Sequence, residues 1–513
     1  MRSLVRTVVE DTLAALKANG TLTFDAIGNY NVDAPKLAEH GDWSTNIAMT
    51  MTKATGKKPA EIAQAIINGL VDHKGIVAKV ELANPGFLNF KLHDVVFQRV
   101  ARDVLAEGDH FGRQRPKSSG KKVNIEFVSA NPTGPVHIGH ARGAFLGDAV
   151  ARLADAAGHE VTREFYINDF GKQVETLGRT VFKRYLQLFG KSITLAEGEY
   201  PAEYVVEIAK AWKAEVGDKY VNATEADVLA EAMAVGIREN LKKIRASLGK
   251  ANISHDVFFS EASLHQSGKV KGIVDVYKAR GVTYEATEGK RKEKDQKEKV
   301  RNEESKAAKY ADRQLGGTFL MTASWTDEKG KQPLKDDEDR IILRHDGTPV
   351  YLTADLAYHK EKYDRGYDTI VDVFGADHGG HVPRIESGMF LLGAEVKKFK
   401  FLLVQIVRIT RGGEEVKVSK RAGTLFELDE LIDEAGADVC RFIFLMKTRD
   451  AQFDFDLDAV TKQSKDNPVF YFQYGHARCA SILRKAKEKG VPFVGVDKLT
   501  DAQLARLVLP EEK

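Results

Sequence analysis

Between Lys122 and Asn168 the chain reads strand, turn, helix, strand, and that order constrains its fold more than any other stretch does. "KVNIEFVS" is a short buried-strand pattern. "ARGAFLGDAVARLADAAG" sets Ala141, Phe145, Ala149 and Leu153 at four-residue spacing, which predicts one helical face, and Gly158 follows where a helix-terminating glycine belongs. "HEVTREFYIN" is a second strand. Two strands joined through a helix within about 45 residues are parallel, and parallel strands imply an α/β sheet covered by helices on both faces.

The rest of the chain divides around that unit. Residues 1–112 read as a small α+β domain: an opening helix, a second helical pattern at "PAEIAQAIINGLVDH", and the strand-like "VAKVELANPGFLNFKL". The basic, Pro- and Gly-containing "RQRPKSSGKK" marks a boundary near 112–121. Residues 121–455 form the parallel-sheet domain, with a mostly helical insertion over about 172–280 and strand patterns again in "YDTIVDVFGADHGG" and "FKFLLVQIVRIT". From 456 to 513 the pattern is all-helical, with "NPVFYFQYGHARCASILRKAKEKG" as one long amphipathic helix. Glu288 to Lys309 is a run of mixed charge, which by itself is a solvated face.

Composition removes several function classes. The 77 basic and 74 acidic residues leave a net charge of +3, which favours no nucleic-acid or acidic partner by itself. Two cysteines, Cys440 and Cys479, outside any CxxC pair, argue against a disulfide framework and a structural zinc site, and fit a reducing compartment such as the cytoplasm. "MRSLVRTVVEDTLAALKANG" alternates charged and apolar residues at helical spacing and lacks a signal peptide's apolar region. No stretch of 18 uncharged apolar residues predicts a membrane span.

The chemistry concentrates in "SANPTGPVHIGHARG". It lies between a strand end and a helix start, where open α/β sheets bind ligands and free backbone N–H groups favour phosphate. Gly139 lets a nucleotide approach the backbone, and His137 and His140, three apart, can donate to phosphate oxygens whose charge grows in a transition state. With 14 His and 43 Gly in 513 residues, chance gives about 0.03 HxGH tetrapeptides, so a second signal is needed. "GGEEVKVSKRAGT" supplies it, because glycine-flanked Lys417 and Lys420 suit a departing pyrophosphate. Lysines in a loop alone would mean solubility. GxxxxGK[ST], GxGxxG after the first strand, and HExxH are all missing, and with them the usual signatures of P-loop, hydride-transfer and zinc-protease chemistry.

His137-Ile138-Gly139-His140 and Lys417-Val418-Ser419-Lys420 resemble the HIGH and KMSKS motifs of class I aminoacyl-tRNA synthetases. "IEFVSANPTGPVHIGHARG", "YLTADLAYHKEKYDRGYD", "VFGADHGGHVPR" and "VKVSKRAGT" resemble the bacterial-type arginyl-tRNA synthetase family, as do "GDWSTNIAM" and "ANPGFLNF" in the N-terminal domain and "NPVFYFQYGHARCASILRKA" near the end. The resemblance implies a class I Rossmann-like catalytic domain between an N-terminal α+β domain that contacts tRNA and a C-terminal all-helical domain that binds the anticodon. It implies arginine, ATP with Mg2+, and tRNA(Arg) as ligands of a monomer. It implies catalytic roles for His137, His140, Lys417 and Lys420. Tyr351 and Asp355 would read the guanidinium, Glu126 the substrate's positive charge, and Ser129, Asn131 and His378 its amino and carboxylate ends. Gly139, Gly375 and Asp377 would join the histidines and lysines around ATP.

Residue chemistry is compatible with this. A guanidinium is met by a carboxylate fork and a neutral acceptor, and Tyr351 and Asp355, four apart, share a face if "YLTAD" is helical. Otherwise Asp355 is a surface residue at an ordinary helix start. Glu126, inside an apolar strand, needs a partner or a pocket. Three departures from the family stand out. Val418 replaces the usual Met, Glu288 to Lys309 has no counterpart, and the chain stops at "LTDAQLARLVLPEEK" where members continue through further helices, so a truncated chain is expected. Two other functions fit part of the pattern. One is an HxGH nucleotidyltransferase without tRNA, whose chains are shorter and lack flanking domains; the other is a non-catalytic synthetase-like RNA-binding protein.

Overall fold

A computed structural model describes residues 1–113, 120–287, 316–416, 426–462, 467–492, 495 and 498–508. The mixed-charge run from Glu288 to Lys309 and the loop with Lys417 and Lys420 lie outside the described residues. The chain forms two compact units, one of Met1–Gly112 with Ser481–Lys513 and one of Arg113–Ala480.

In the first unit the opening helix, Arg2–Ala18, buries Val5, Val8, Val9, Thr12, Leu13 and Leu16, the three- and four-residue spacing of a single stripe. Pro59 begins the helix Pro59–Asn68, where its missing N–H costs nothing. The strand-like run after it becomes two antiparallel strands, Val77–Ala83 and Phe87–Leu92, because Asn84-Pro85-Gly86 turns the chain. They complete a four-stranded sheet whose Leu88 and Phe90 pack among Leu13, Ile62 and Ile66.

The second unit is built on five strands: β1 (Lys122–Glu126), β2 (Glu160–Ile167), β3 (Val257–Ser260), β4 (Thr369–Gly375) and β5 (Phe399–Val404). Every neighbouring pair is parallel, and the spatial order is β5-β4-β1-β2-β3. Strand order therefore reverses between β1 and β4. In open parallel sheets the crevice beyond the strand ends at such a reversal is where ligands sit.

The helix α1 (Ile138–Ala156) connects β1 to β2 as its sequence predicts, and ends in a Schellman turn at Gly158, φ +82°. The N–H of Gly158 reaches Asp155 O at 2.9 Å and that of His159 reaches Ala154 O at 3.1 Å. The buried stripe is Ala141, Ala144, Phe145, Asp148 and Ala151, and the expected continuation to Leu153 fails, since that side chain is 70% exposed. Strict four-residue steps drift about 40° each around an α-helix, so the face has rotated outward by Leu153. Gly147 lets α1 lie directly on β1, because an added Cβ would fall onto the Phe127 side chain.

The stretch 172–280 holds the helices Lys172–Gln187, Glu203–Val216 and Glu225–Lys250, with their own core around Tyr185 and Trp212. It also holds β3, which continues the sheet beside β2, so the helical insertion ends before Val257. "VFFS" gives four residues of pattern, too few to separate strand from helix.

Candidate active site

The crevice at the strand reversal is a cleft of ≈ 650 Å³. Glu126, Ser129, Asn131, His137, Gly139, His140, Tyr351, Asp355, Gly375, Asp377 and His378 all line it, although they come from three separate stretches of sequence.

One wall is the turn after β1. Val128 and Ser129 take positive φ, 71° and 41°, which is costly for a β-branched valine and persists only when neighbours hold it. Ser129 Oγ donates to Glu126 Oε1 at 2.8 Å and accepts the N–H of Tyr166 at 3.1 Å, which locks the turn to β1 and β2. Asn131 donates to Gln173 Oε1 at 3.0 Å. The insertion's helices brace the same turn further along: Asn240 donates to Pro132 O at 2.8 Å and the Tyr204 hydroxyl to Thr133 O at 2.6 Å.

His137 and His140 then open α1 as a reciprocal cap. Nδ1 of His137 accepts the N–H of Gly139 at 3.2 Å, and Nδ1 of His140 accepts the N–H of His137 at 3.4 Å. The ring centroids are 4.0 Å apart. A nitrogen that accepts cannot carry the proton, so each ring's N–H falls on Nε2. Gly139 gains a second reason for being glycine, since a Cβ would come within 3.0 Å of the His137 ring. The described residues after the lysine loop return to this turn: Ile138 N donates to Phe426 O at 3.1 Å, and His137 bridges Glu427. Arg142, one turn into the helix, fastens the cleft's Gln405 by donating to its carbonyl at 3.0 Å, and to those of Thr448 and Ala451 at 2.7 Å.

The opposite wall is the helix α2 (Tyr351–Asp364), so "YLTAD" is helical. Tyr351 and Asp355 share its cleft-facing side: Tyr351 is 59% exposed, and Asp355 is buried instead of standing at the surface. His381 Nε2 donates to Asp355 Oδ2 at 2.6 Å. His378 lines the cleft, and the imidazole that reaches the Asp355 carboxylate, His381, is the N-cap of the next helix, Val382–Leu391. Gly375 ends β4 and leaves room for the Asp377 side chain, onto which a Cβ would fall.

Three further residues went unnoticed in the sequence. Lys362, entirely buried, ion-pairs with both Glu126 and Asp372. Tyr166 lines the cleft from β2. Behind it lies Glu261, buried, with Oε2 lacking a hydrogen-bond partner and Oε1 3.6 Å from His265 Nε2. Burial pushes the Glu261 carboxyl up to about 7, helped by the charges of Asp355 and Asp169 and opposed by the Tyr166 hydroxyl.

That shift has a stability consequence. Between about 4.5, the ordinary value, and about 7 the folded chain holds this proton more tightly than the unfolded chain does. The contribution is complete below the lower value and lost as pH rises through the upper one. Glu261→Gln should therefore match the parent near pH 4.5 and exceed it at pH 8 by on the order of 2–3 kcal/mol. Urea unfolding at both pH values measures it. An advantage that does not grow with pH would contradict the assignment.

The geometry thus joins an acidic end, made by Glu126 and Asp355 with Tyr351 and Tyr166, to a donor-rich helix start at His137 and His140. Such a cleft can hold a cation at one end and a polyphosphate at the other.

Comparison with known proteins agrees in kind. Residues 3–92 match the family model for the arginyl tRNA synthetase N terminal domain, and residues 101–291 that for the catalytic domain of class I (R) tRNA synthetases. The chain is similar to the arginine–tRNA ligase of Anaeromyxobacter sp. (strain Fw109-5), 44% identical across 91% of this chain and 77% of the relative. It is 41% identical to that of Ruegeria pomeroyi, across 95% and 80%. The Thermus thermophilus arginyl-tRNA synthetase structure shares the fold, with a TM-score of 0.66 over 98% of this chain and 84% of that one at 19% identity.

Proposed function

The chain belongs to the arginine–tRNA ligases, class I aminoacyl-tRNA synthetases, and on that premise we propose which residues carry each part of the reaction. The enzyme ligates arginine to tRNA with ATP: the arginine carboxylate attacks the α-phosphate, giving arginyl-adenylate and pyrophosphate, and a ribose hydroxyl of the tRNA then takes the arginyl group. The relatives match nearly the whole chain, flanking regions included, which removes the shorter nucleotidyltransferase reading.

In our assignment Tyr351 and Asp355 read the guanidinium. Glu126 meets substrate positive charge, and Ser129, Asn131 and His378 hold the amino and carboxylate ends. The adenosine and phosphates lie along Gly139, Gly375 and Asp377, with the Nε2–H groups of His137 and His140 and the ammonium groups of Lys417 and Lys420 on the phosphates. Catalysis then needs no covalent nucleophile from the protein. Two reactants held in register, and donors aimed at growing phosphate charge, supply it.

Magnesium would supply charge neutralisation on the triphosphate. Of the carboxylates lining the cleft, Glu126 is held by Lys362 and Asp355 by His381, while Asp377, 3.7 Å from His378 Nε2, has a side chain 70% exposed. Asp377 is thus the residue suited to meet an ion that otherwise keeps phosphate and water ligands. We further assign residues 1–112 to tRNA contact and residues 456–513 to the anticodon. A cytoplasmic monomer completes the proposal; two unpaired cysteines, Cys440 and Cys479, suit that compartment, and no described helix is long and apolar enough to cross a membrane.

The observation that carries the assignment is that a carboxylate and a tyrosine one helical turn apart face the HxGH helix start across one cleft. Its test is aminoacylation of total tRNA with each of the twenty amino acids. Arginine alone should charge, and charging by lysine at a comparable kcat/KM would overturn the guanidinium assignment, because a point ammonium cannot use a planar fork.

A further inference from the structure

Helix α2 carries Tyr351 and Asp355 at its start and a second set of polar residues further along. Tyr358, His359 and Lys362 face the sheet, followed by Arg365 just past the helix end. What they meet is a row of acids. Asp372 on β4, Glu126 on β1 and Glu164 on β2 are register partners, side by side on one face of three neighbouring strands. All three are buried. Like charges in adjacent strand positions repel, and each carboxylate forfeits its hydration.

The helix answers each acid. Lys362 lies between Asp372 and Glu126. Arg365 donates to Glu164 Oε1 at 2.8 Å and the Tyr358 hydroxyl to the same oxygen at 2.9 Å. His359 donates through Nδ1 to the Asp355 carbonyl at 2.7 Å, and its Nε2 lies 3.2 Å from Asp372 Oδ2. As a device for stability alone this is poor, since well-packed apolar side chains commonly replace buried ion clusters without loss. What distinguishes the cluster is that one member is shared with the cleft. Glu126 turns one oxygen to Ser129 and the other to Lys362, and it lines the cleft floor.

Building on the assignment of Glu126 to the arginine site, we propose that Lys362 is a positioning residue of that site: it holds the Glu126 carboxylate charged on the cleft floor and fixes the guanidinium-reading helix to the strand that carries it. Lys362 touches no substrate. Its effect passes through Glu126.

The charges around Glu126 make this testable. Its neighbours are Asp372 and Glu164 in the sheet, Lys362 and the Tyr358 and Tyr351 hydroxyls from α2, and Ser129 from the turn. Burial holds the Glu126 carboxyl above its ordinary value; Lys362 pulls against that rise and Asp372 adds to it. Burial also works to lower the Lys362 ammonium, but Asp372, Glu126 and Glu164 hold it above its ordinary range. Removing Lys362 should therefore raise the pH at which arginine binding fails on acidification, and removing Asp372 should lower it.

The experiment measures arginine KM, ATP KM and kcat from pH 6 to 8.5 for Asp372→Asn, for the charge-balanced pair Lys362→Met with Asp372→Asn, and for Glu126→Gln. In the double variant the two losses oppose each other, and that of Lys362 prevails because it acts on Glu126 by both charge and hydrogen bond; arginine KM should rise about tenfold at pH 7 and recover toward pH 8.5, with ATP KM unmoved. In Asp372→Asn the acid limb should move the opposite way, a readout available even if the double variant does not fold. Acid limbs that stay put in these variants, or that move in the same direction, would overturn the proposal. Glu126→Gln separates the two layers: if it leaves arginine KM unchanged, the arginine-site assignment of Glu126 fails, whereas a raised KM there with unmoved limbs elsewhere removes only the positioning role.

Discussion

Replacing Asp355 with alanine is expected to raise arginine KM by about a hundredfold while ATP KM stays within about twofold. The carboxylate sits one helical turn from Tyr351 and is buried, so it would meet a guanidinium with little competition from water. A planar cation answered by a carboxylate fork gains two charge-assisted hydrogen bonds, each contributing about 1.5–3 kcal/mol. Loss of the carboxylate also frees the His381 imidazole that it orients at 2.6 Å. The end of the cleft assigned to phosphate, at the start of α1, keeps its residues. Asp355→Asn is the companion: it retains the shape and one acceptor but not the charge, and should fall between parent and alanine. Steady-state kinetics with each substrate varied in turn decides the matter. A parallel rise of both KM values would make Asp355 a structural residue of the cleft, and the specificity would have to be sought elsewhere.

How far the sequence could reach is visible in individual residues. The parallel sheet was readable because strand, helix and strand follow one another locally, with a glycine to end the helix, and the structure repeats that order. Glu126 announced itself as a carboxylate in an apolar strand that required a partner. Its partner could not be named, because Lys362 lies 236 positions away and looks, within "YHKEKYDRGYD", like one of several surface charges. Burial distinguishes Lys362 from Lys360, and burial is a property of the folded sheet.

His381 was missed for a related reason. "GADHGGH" offers two histidines three apart, and only the short turn at Ala376–His378 followed by a helix N-cap decides which imidazole swings to Asp355. A histidine directly before "VPRI", where proline stands in a first helical turn, was the available clue. Glu261 left even less trace. It follows a four-residue strand inside a stretch that reads as helical, and its character comes first from burial, to which Asp355 and Asp169, both distant in sequence, add.

His137→Asn should lower kcat by about a hundredfold without loosening the helix that the residue begins. This imidazole would have two separable tasks. Through Nδ1 it accepts the Gly139 N–H at 3.2 Å and caps α1, and by doing so it leaves the ring proton on Nε2, the donor assigned to phosphate. Asparagine is among the best N-caps and places an acceptor where Nδ1 stands, but it has nothing at the Nε2 position. Glutamine is the converse, long enough to place an N–H donor near Nε2 and a poor cap. If phosphate charge in the transition state is what the histidine answers, kcat should collapse in His137→Asn at unchanged melting temperature. His137→Gln should keep part of kcat at a lowered one. Pyrophosphate exchange dependent on arginine, measured with tRNA present, reports the chemical step, and thermal unfolding reports the cap. KM for ATP should move little in either variant, since a donor that acts on charge developed during reaction contributes little to the ground state. If the asparagine variant retained the parent kcat, the imidazole would be a helix cap only, and stabilisation of the phosphates would rest on His140 and on the lysines at 417 and 420.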